Sequence, residues 1–344
     1  CEKASKRVRN GLARADKKRK KEDVHRLSHP LFYASYPFAP TRCTCQIHIL
    51  ICNGASIWLN RLVILRQVLK ITFVVFRICL KSEQGQINIE SSNNMNIKTK
   101  ALLKEYAARY ETTAFLKEDP ARFMHLVQGT NNQETMAFIA ANLSYGNRKQ
   151  FFPKINFVLE KSQGEPYNWV KSGLFEQDIP PTDDCYYRLY TKRMMNSFLK
   201  TLQKLLTEHH SLHQYVQATA ANDAETAVVA LCKYFAAHGQ EGIVPINARS
   251  ACKRICMFLR WMVRDNSPVD LGIWKDTIDK RTLIMPLDTH VLTQAQRLKL
   301  LKSKSTSMSI AKKLTAEMAK VFPNDPLKAD FALFGYGVND GQEI

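Results

Sequence analysis

The stretch Arg249-Ser250-Ala251-Cys252-Lys253-Arg254-Ile255-Cys256-Met257-Phe258-Leu259-Arg260-Trp261-Met262-Val263-Arg264 decides the fold. Ile255, Phe258, Leu259 and Met262 recur at intervals of three and four, the spacing that puts side chains on one face of an α-helix. Working outward, the same period returns. Leu102, Leu103, Tyr106, Ala107 and Tyr110 make one such face, and Met136, Ile139, Ala140 and Leu143 make another. The latter helix covers 132–145, and Gly146 is a natural C-terminal stop. Asp119-Pro120 reads as a helix start, with a cap oxygen before a proline in the first turn. Asn222 with Glu225 predicts a capping box opening a helix that ends near Gly239. Asp325-Pro326 opens the last helix. No segment alternates in the strand manner, and no internal repeat is visible. The expectation is an all-α domain over residues 95–344. Its loops are short except for 173–184, where Pro180-Pro181 forbids regular structure. That loop would divide two helical lobes, with a ligand cleft between them.

Composition sets the outer bounds. With 45% apolar and 24% charged residues the chain is neither collagen-like, wholly disordered nor a disulfide scaffold. Lys and Arg number 50 against 31 Asp and Glu, a formal net charge of +19, which calls for an anionic partner. Nine cysteines at irregular spacing read as reduced thiols in a cytoplasmic protein.

The charge is uneven. Residues 1–94 hold 17 Lys and Arg against 6 Asp and Glu, a net of +11, leaving +8 for residues 95–344. All ten methionines lie at or after Met95. The functional protein is therefore expected to start at Met95, with 1–94 a basic upstream segment that is non-native or disordered. Its residues 3–21 form a basic block of the kind that binds nucleic acid or serves as a localisation signal. Residues 43–60 carry no formal charge but are broken by Gln46, His48, Asn53, Gly54, Ser56 and Asn60. Residues 62–80 carry Arg66, Lys70 and Arg77, which suits an interfacial helix better than a span. Cys43-x-Cys45 is too short a pair to hold a metal. No membrane role is expected for 95–344.

Several chemistries lack their motifs. There is no phosphate-binding GxxxxGK[ST] loop, no GxGxxG and no HExxH. His209 and His213 lie one helical turn apart, as do Cys252 and Cys256, but each pair needs further ligands. No metal and no cofactor is expected. Lys253 sits in the first turn of its helix, where the positive end of the macrodipole favours the neutral amine that a nucleophile needs. The plainer reading is an exposed lysine near a helix end. Asp288, between Pro286-Leu287 and Thr289-His290-Val291, reads either as an N-cap or as a carboxylate that stabilises a developing cation.

Pro286-Leu287-Asp288-Thr289-His290-Val291, followed by Gln296-Arg297-Leu298, resembles the catalytic-aspartate segment of the helix-hairpin-helix DNA glycosylases, the superfamily of endonuclease III. Residues 138–146, ending Ser144-Tyr145-Gly146, resemble that superfamily's early helix and DNA-probing loop. Residues 95–344 also look like a bacterial family of conserved uncharacterised proteins. The shared motifs are Ser-Ala-Cys-Lys-Arg, Phe-Leu-Arg-Trp-Met-Val-Arg, Val-Asp-Leu-Gly-x-Trp, Pro-Leu-Asp-Thr-His-Val and Phe-Ala-Leu-Phe-Gly-x-Gly. All five stand here.

The resemblance implies a two-lobed helical glycosylase fold with Lys253 as nucleophile and Asp288 as catalytic aspartate. Their separation of 35 residues is longer than in endonuclease III and more like that of archaeal oxidised-guanine glycosylases. The glycine-rich hairpin that grips a phosphate is replaced by residues 242–250, and the four-cysteine iron–sulfur loop is absent. The expected activity is DNA glycosylase and abasic lyase on a flipped-out base. Arg148, Lys149, Arg188, Arg249, Arg260 and Arg264 are the expected DNA contacts, and Tyr145, Tyr187, Trp261 and Trp274 the stacking or wedge residues. The protein would act as a monomer with DNA as partner. The rivals are a non-catalytic nucleic-acid-binding protein on the same scaffold and a membrane-associated protein acting through 1–94.

Overall fold

A computed structural model describes residues 95–339 except residue 241. The expectations for residues 1–94 lie outside these described residues. The described part is mostly helical. Helix α1 (Ile97–Tyr110) is capped by Asn96, whose side chain accepts from the Lys98 N–H at 3.0 Å. Two 3₁₀ segments follow, Thr113–Glu118 and Pro120–His125. Asp119 caps the second, accepting from the Ala121 N–H at 2.9 Å, so the Asp-Pro signal opens a tighter helix than expected.

Helix α2 (Thr130–Leu143) is buried on every face from Glu134 to Leu143. An all-round buried helix is the centre of a core. Ala137, Ala140 and Ala141 keep it slim enough for neighbours to approach from several sides. Helices α3 (Arg148–Lys161), α4 (Pro166–Lys171) and α5 (Phe175–Asp178) come next. A hairpin then pairs β1 (Cys185–Tyr187) antiparallel with β2 (Tyr190–Thr191). Strands this short carry too little alternation to be read from sequence.

Helix α6 (Lys192–His209) starts at Thr191, which caps Met194, and is followed by α7 (Leu212–Ala218). Helix α8 (Ala224–Ala237) is capped by Asp223, one residue after the expected Asn222. Helix α9 (Lys253–Val263) is shorter than its sequence suggests, because Cys252 takes a left-handed conformation at φ +44° and breaks the turn. Helices α10 (Thr289–Arg297), α11 (Met308–Ala319) and α12 (Lys328–Asn339) complete the described chain. The last begins three residues beyond Asp325. Among the described residues no helix is long and apolar enough to cross a membrane.

Helix α2 packs on α9, α4 and Pro120–His125, while α12 lies along α1 and touches α10. The buried residues form one continuous cluster, so the 173–184 loop does not separate two cores. That loop is itself packed. Phe175 and Ile179 are buried, and Asn196 on α6 donates to the Ile179 carbonyl at 2.8 Å.

Gly335 and Gly337 explain the Phe-Gly-x-Gly motif. A Cβ on Gly335 would overlap the Tyr110 ring, and one on Gly337 would come within 2.5 Å of His290 Nε2. Both glycines therefore allow α12 to sit tightly against α1 and α10. Gly335→Ala is expected to lower stability by about 1–3 kcal/mol through overpacking. An unchanged melting temperature would contradict this close packing.

Candidate functional site

Five of the residues expected to meet DNA are interior: Arg260, Arg264, Trp261, Trp274 and Tyr187. The Arg260 guanidinium is 4% exposed and pairs with Asp270 at 3.2 Å and with Asp330. Arg264 is 1% exposed and pairs with Asp270, with Asp325 at 2.8 Å and with Glu111 at 2.6 Å. Burial works against the Arg264 charge, yet Asp325, Asp270 and Glu111 together push its pKa above the ordinary value. Phe331 lies against both guanidiniums, at 4.7 and 5.3 Å. Neither arginine can reach a phosphate, since each would have to abandon buried carboxylates. Trp261 is fully buried, with its indole N–H unpartnered among the described residues. Its carbonyl accepts from the Leu271 N–H at 2.8 Å. Trp274 is also fully buried, flanked by Phe258 and stacked on His213 with centroids 5.2 Å apart. Thus the Phe-Leu-Arg-Trp-Met-Val-Arg and Val-Asp-Leu-Gly-x-Trp motifs build one buried knot, and the proposed contacts from Arg260, Arg264, Trp261 and Trp274 are corrected accordingly.

Trp274 leads to a residue the sequence did not single out. Its Nε1 donates to Glu134 Oε2 at 3.0 Å, and the Leu212 and His213 N–H groups donate to the same carboxylate at 2.5 and 3.2 Å. Among the described residues no cation pairs with this group, and burial pushes its pKa up to about 7 against the pull of those donors. Between pH 4.5 and 7 the folded protein therefore holds a proton that the unfolded chain has lost. The stabilisation is complete at the lower end and is lost as pH rises through about 7. Glu134→Gln removes this linkage and also turns an amide N–H₂ towards an N–H donor. The variant is expected to be less stable than wild type at pH 5, with the gap closing towards pH 8 by about 3 kcal/mol. Parallel stability curves across that range would contradict the assignment.

Lys253 and Asp288, separated by 35 residues, meet directly. Lys253 is the first residue of α9 and Asp288 is the N-cap of α10, so the pair links the N-terminal ends of two helices. Lys253 Nζ lies 2.9 Å from Asp288 Oδ2, with the side chains 35% and 32% exposed. Asp288 Oδ1 accepts from the Val291 N–H at 2.8 Å, so capping and pairing use different oxygens of one carboxylate. Burial raises its pKa, but the Lys253 charge, the Val291 N–H and nearby His290 outweigh that and hold it below the ordinary carboxylate value. The result is a fixed anion beside a primary amine, reachable from solvent. Such an anion can stabilise a cation, and an amine can condense with an aldehyde once it has lost its proton. The amine is occupied by the carboxylate, so the pair must part before attack.

Arg254 ties the start of α9 to the end of α2. It donates to the Asn142 carbonyl at 2.9 Å and to the Tyr190 hydroxyl. Around this tether stand Tyr145, with a ring 6.2 Å from that of Tyr190, and Tyr187, whose hydroxyl donates to the Tyr145 carbonyl. Tyr187 is buried and serves as a support, whereas Tyr145 is 38% exposed. The Arg188 guanidinium covers the Tyr145 ring at 4.9 Å and fills the space over Gly146, where φ is +88°. Leu189 at the hairpin tip is 66% exposed, an apolar projection that the sequence reading missed because it depends on the hairpin. Arg148 lies over the Phe334 ring at 5.6 Å, and Lys149 and Arg249 are exposed.

Two clefts lie elsewhere. One, of about 470 Å³, is lined by residues including Asp265, Lys275, Asp279 and Arg281. The other, of about 340 Å³, includes Arg193, Lys200, Lys204 and His238. Neither is lined by Lys253 or Asp288. His213 Nε2 is engaged with Thr277 Oγ1 at 2.6 Å, and His209 packs on Tyr215. Among the described residues no group of three or more His, Cys, Asp or Glu is arranged to hold a metal ion.

A mostly helical protein with an amine–carboxylate pair joining two helix N-termini is the class these observations define. The chain belongs to the DUF2400 family of proteins of unknown function, which matches residues 119–339 and so includes both members of the pair. No curated protein and no solved structure matches the chain.

Proposed function

We propose that this protein is a DNA glycosylase and abasic lyase of the helix-hairpin-helix kind, with Lys253 as nucleophile and Asp288 as electrostatic stabiliser. The observation that carries the reading is the 2.9 Å contact between Lys253 Nζ and Asp288 Oδ2, both reachable from solvent. A damaged nucleotide turned out of the duplex brings its sugar to this pair. As the glycosidic bond breaks, its electron pair leaves with the base, which takes up a proton, and the cationic sugar is stabilised by the Asp288 carboxylate. The deprotonated Lys253 amine adds to C1′, the sugar ring opens, and a Schiff base forms. Loss of a C2′ proton expels the 3′ phosphate, and water then hydrolyses the imine and frees the lysine. Tyr145, Arg188 and Leu189 supply a stacking surface and an apolar tip beside the site. Arg148, Lys149 and Arg249 supply charge for the backbone.

The test is borohydride trapping. Incubation with an abasic-site duplex and reductant is expected to give a covalent protein–DNA band, and no band above that of an unrelated basic protein would defeat the proposal. One observation favours the rival binding-only reading: the ion pair occupies both groups. A protein of that kind would bind duplex DNA in the same assay without trapping.

A further inference from the structure

Residues 242–264 and 289–316 are two of several stretches of the chain without Asp or Glu. The first carries Arg249, Lys253 and Arg254 besides the two buried arginines, and the second carries Arg297, Lys299, Lys302, Lys304, Lys312 and Lys313. Far apart in sequence, they are fastened together at two points. Ser250 and Ser307 form an antiparallel bridge, where the Met308 N–H donates to the Arg249 carbonyl at 3.3 Å. Three residues further on, Lys253 meets Asp288 at the head of the second stretch. The segment between Arg249 and Lys253 is thus held to Ser307 at one end and to Asp288 at the other.

The charge at this seam is uncompensated. Lys312 pairs with Glu225 and Lys253 with Asp288, but Arg249, Lys302 and Lys304 are exposed and have no carboxylate partner among the described residues. A solvated surface ordinarily interleaves signs, as Lys320 and Glu317 do nearby. Like charges gathered without counterions on the protein repel one another, and a polyanion relieves that repulsion. Residues 301–306 have no helical structure, and the Ser303 and Ser305 hydroxyls lie 3.2 Å apart. The Ser305 N–H also donates to the Ser303 hydroxyl at 3.2 Å, and Lys302 and Lys304 on either side of Ser303 are both exposed. The seam is polar, rich in serine hydroxyls, and Ile246 is its one strongly exposed aliphatic neighbour among the described residues. That is poor material for a membrane surface, which needs an apolar face, and suitable material for successive phosphates.

We infer that the seam of residues 247–250 and 302–307 is the track for the phosphate backbone of duplex DNA, gripped by Arg249, Lys302 and Lys304. It takes over the role left open by the missing glycine hairpin, and it rests on the glycosylase reading for the duplex as ligand.

The test uses the full chain and a labelled duplex with a tetrahydrofuran abasic analogue, with binding followed by fluorescence anisotropy between 50 and 200 mM salt. Arg249→Gln/Lys302→Gln/Lys304→Gln is expected to make the plot of log affinity against log salt shallower by about 3, because each lost phosphate contact removes about 0.9. A charge-matched control on α1, Lys98→Gln/Lys100→Gln/Lys104→Gln, should keep the wild-type slope. Should the triple variant fold poorly by circular dichroism, Lys302→Gln/Lys304→Gln is expected to give a change of about 2. Equal slopes for the seam variant and wild type, or an equal drop in the α1 control, would overturn the track. Loss of binding to phosphatidylserine vesicles with DNA affinity intact would reassign the seam to lipid and overturn it as well. Wild-type protein that binds and traps DNA while the seam variant is unaffected sinks only this inference. Absence of any wild-type DNA binding sinks the glycosylase reading together with it.

Discussion

Lys253→Gln is expected to lower borohydride trapping on abasic-site DNA by at least about a hundredfold, because the amine that forms the imine is removed. Glutamine is one bond shorter than lysine but keeps an N–H donor for Asp288, and the Asp288 cap of α10 is untouched, so the two helix starts should remain in place. DNA affinity should change little, with the salt slope reduced by about 1 at most. Asp288→Asn acts at a different stage. The amide still accepts from the Val291 N–H, which preserves the α10 cap, but the negative charge is gone. Base excision should fall by about 10²–10³-fold, the usual cost of losing one preorganised stabilising group. Trapping on a preformed abasic site should survive in part, since that step needs the amine more than the carboxylate. Equal trapping by Lys253→Gln and wild type would remove the lysine from the mechanism. Full excision by Asp288→Asn would remove the aspartate.

Asp270→Ala should be the most destabilising of the substitutions considered. Asp270 is fully buried and bridges both interior guanidiniums, Arg260 and Arg264. Removing it leaves two desolvated cations short of a counterion, a loss that costs about 3–5 kcal/mol when a buried pair is broken. Against a typical total of roughly 5–15 kcal/mol, that is a large fraction of the stability of the fold. A fall in melting temperature of roughly 10 °C is expected, or failure to accumulate as folded protein. Asp270→Asn should lie between, since it keeps a hydrogen-bonding oxygen and Arg264 retains Asp325 and Glu111. A shift no larger than that of an exposed pair such as Arg281–Asp279 would show that the knot does not hold the core together.

The helices are legible because helical period, Asp and Asn caps and glycine stops are local properties of the chain. The errors are local as well. A capping signal slipped from Asn222 to Asp223, and α9 lost four residues to the left-handed Cys252. A two-strand hairpin escaped because its strands hold three and two residues. The positions of Lys253 and Asp288 at helix starts could also be read, because a first-turn lysine and a Pro-Leu-Asp cap announce themselves in sequence.

Which conspicuous residues face solvent could not be read. The sequence marks Arg260, Arg264, Trp261 and Trp274 as strongly as Lys253, and an arginine carries the same formal charge in a core as on a surface. Only tertiary packing brings Asp270, Asp325, Asp330 and Glu111 around the two guanidiniums, from as far as 153 residues away in the chain. Packing likewise gives Glu134 its three N–H donors and its raised pKa, and joins two acid-free stretches at Ser250 and Ser307. Local order follows from neighbours along the chain. Charge state, exposure and pairing follow from neighbours in space, and those exist only once the helices have packed.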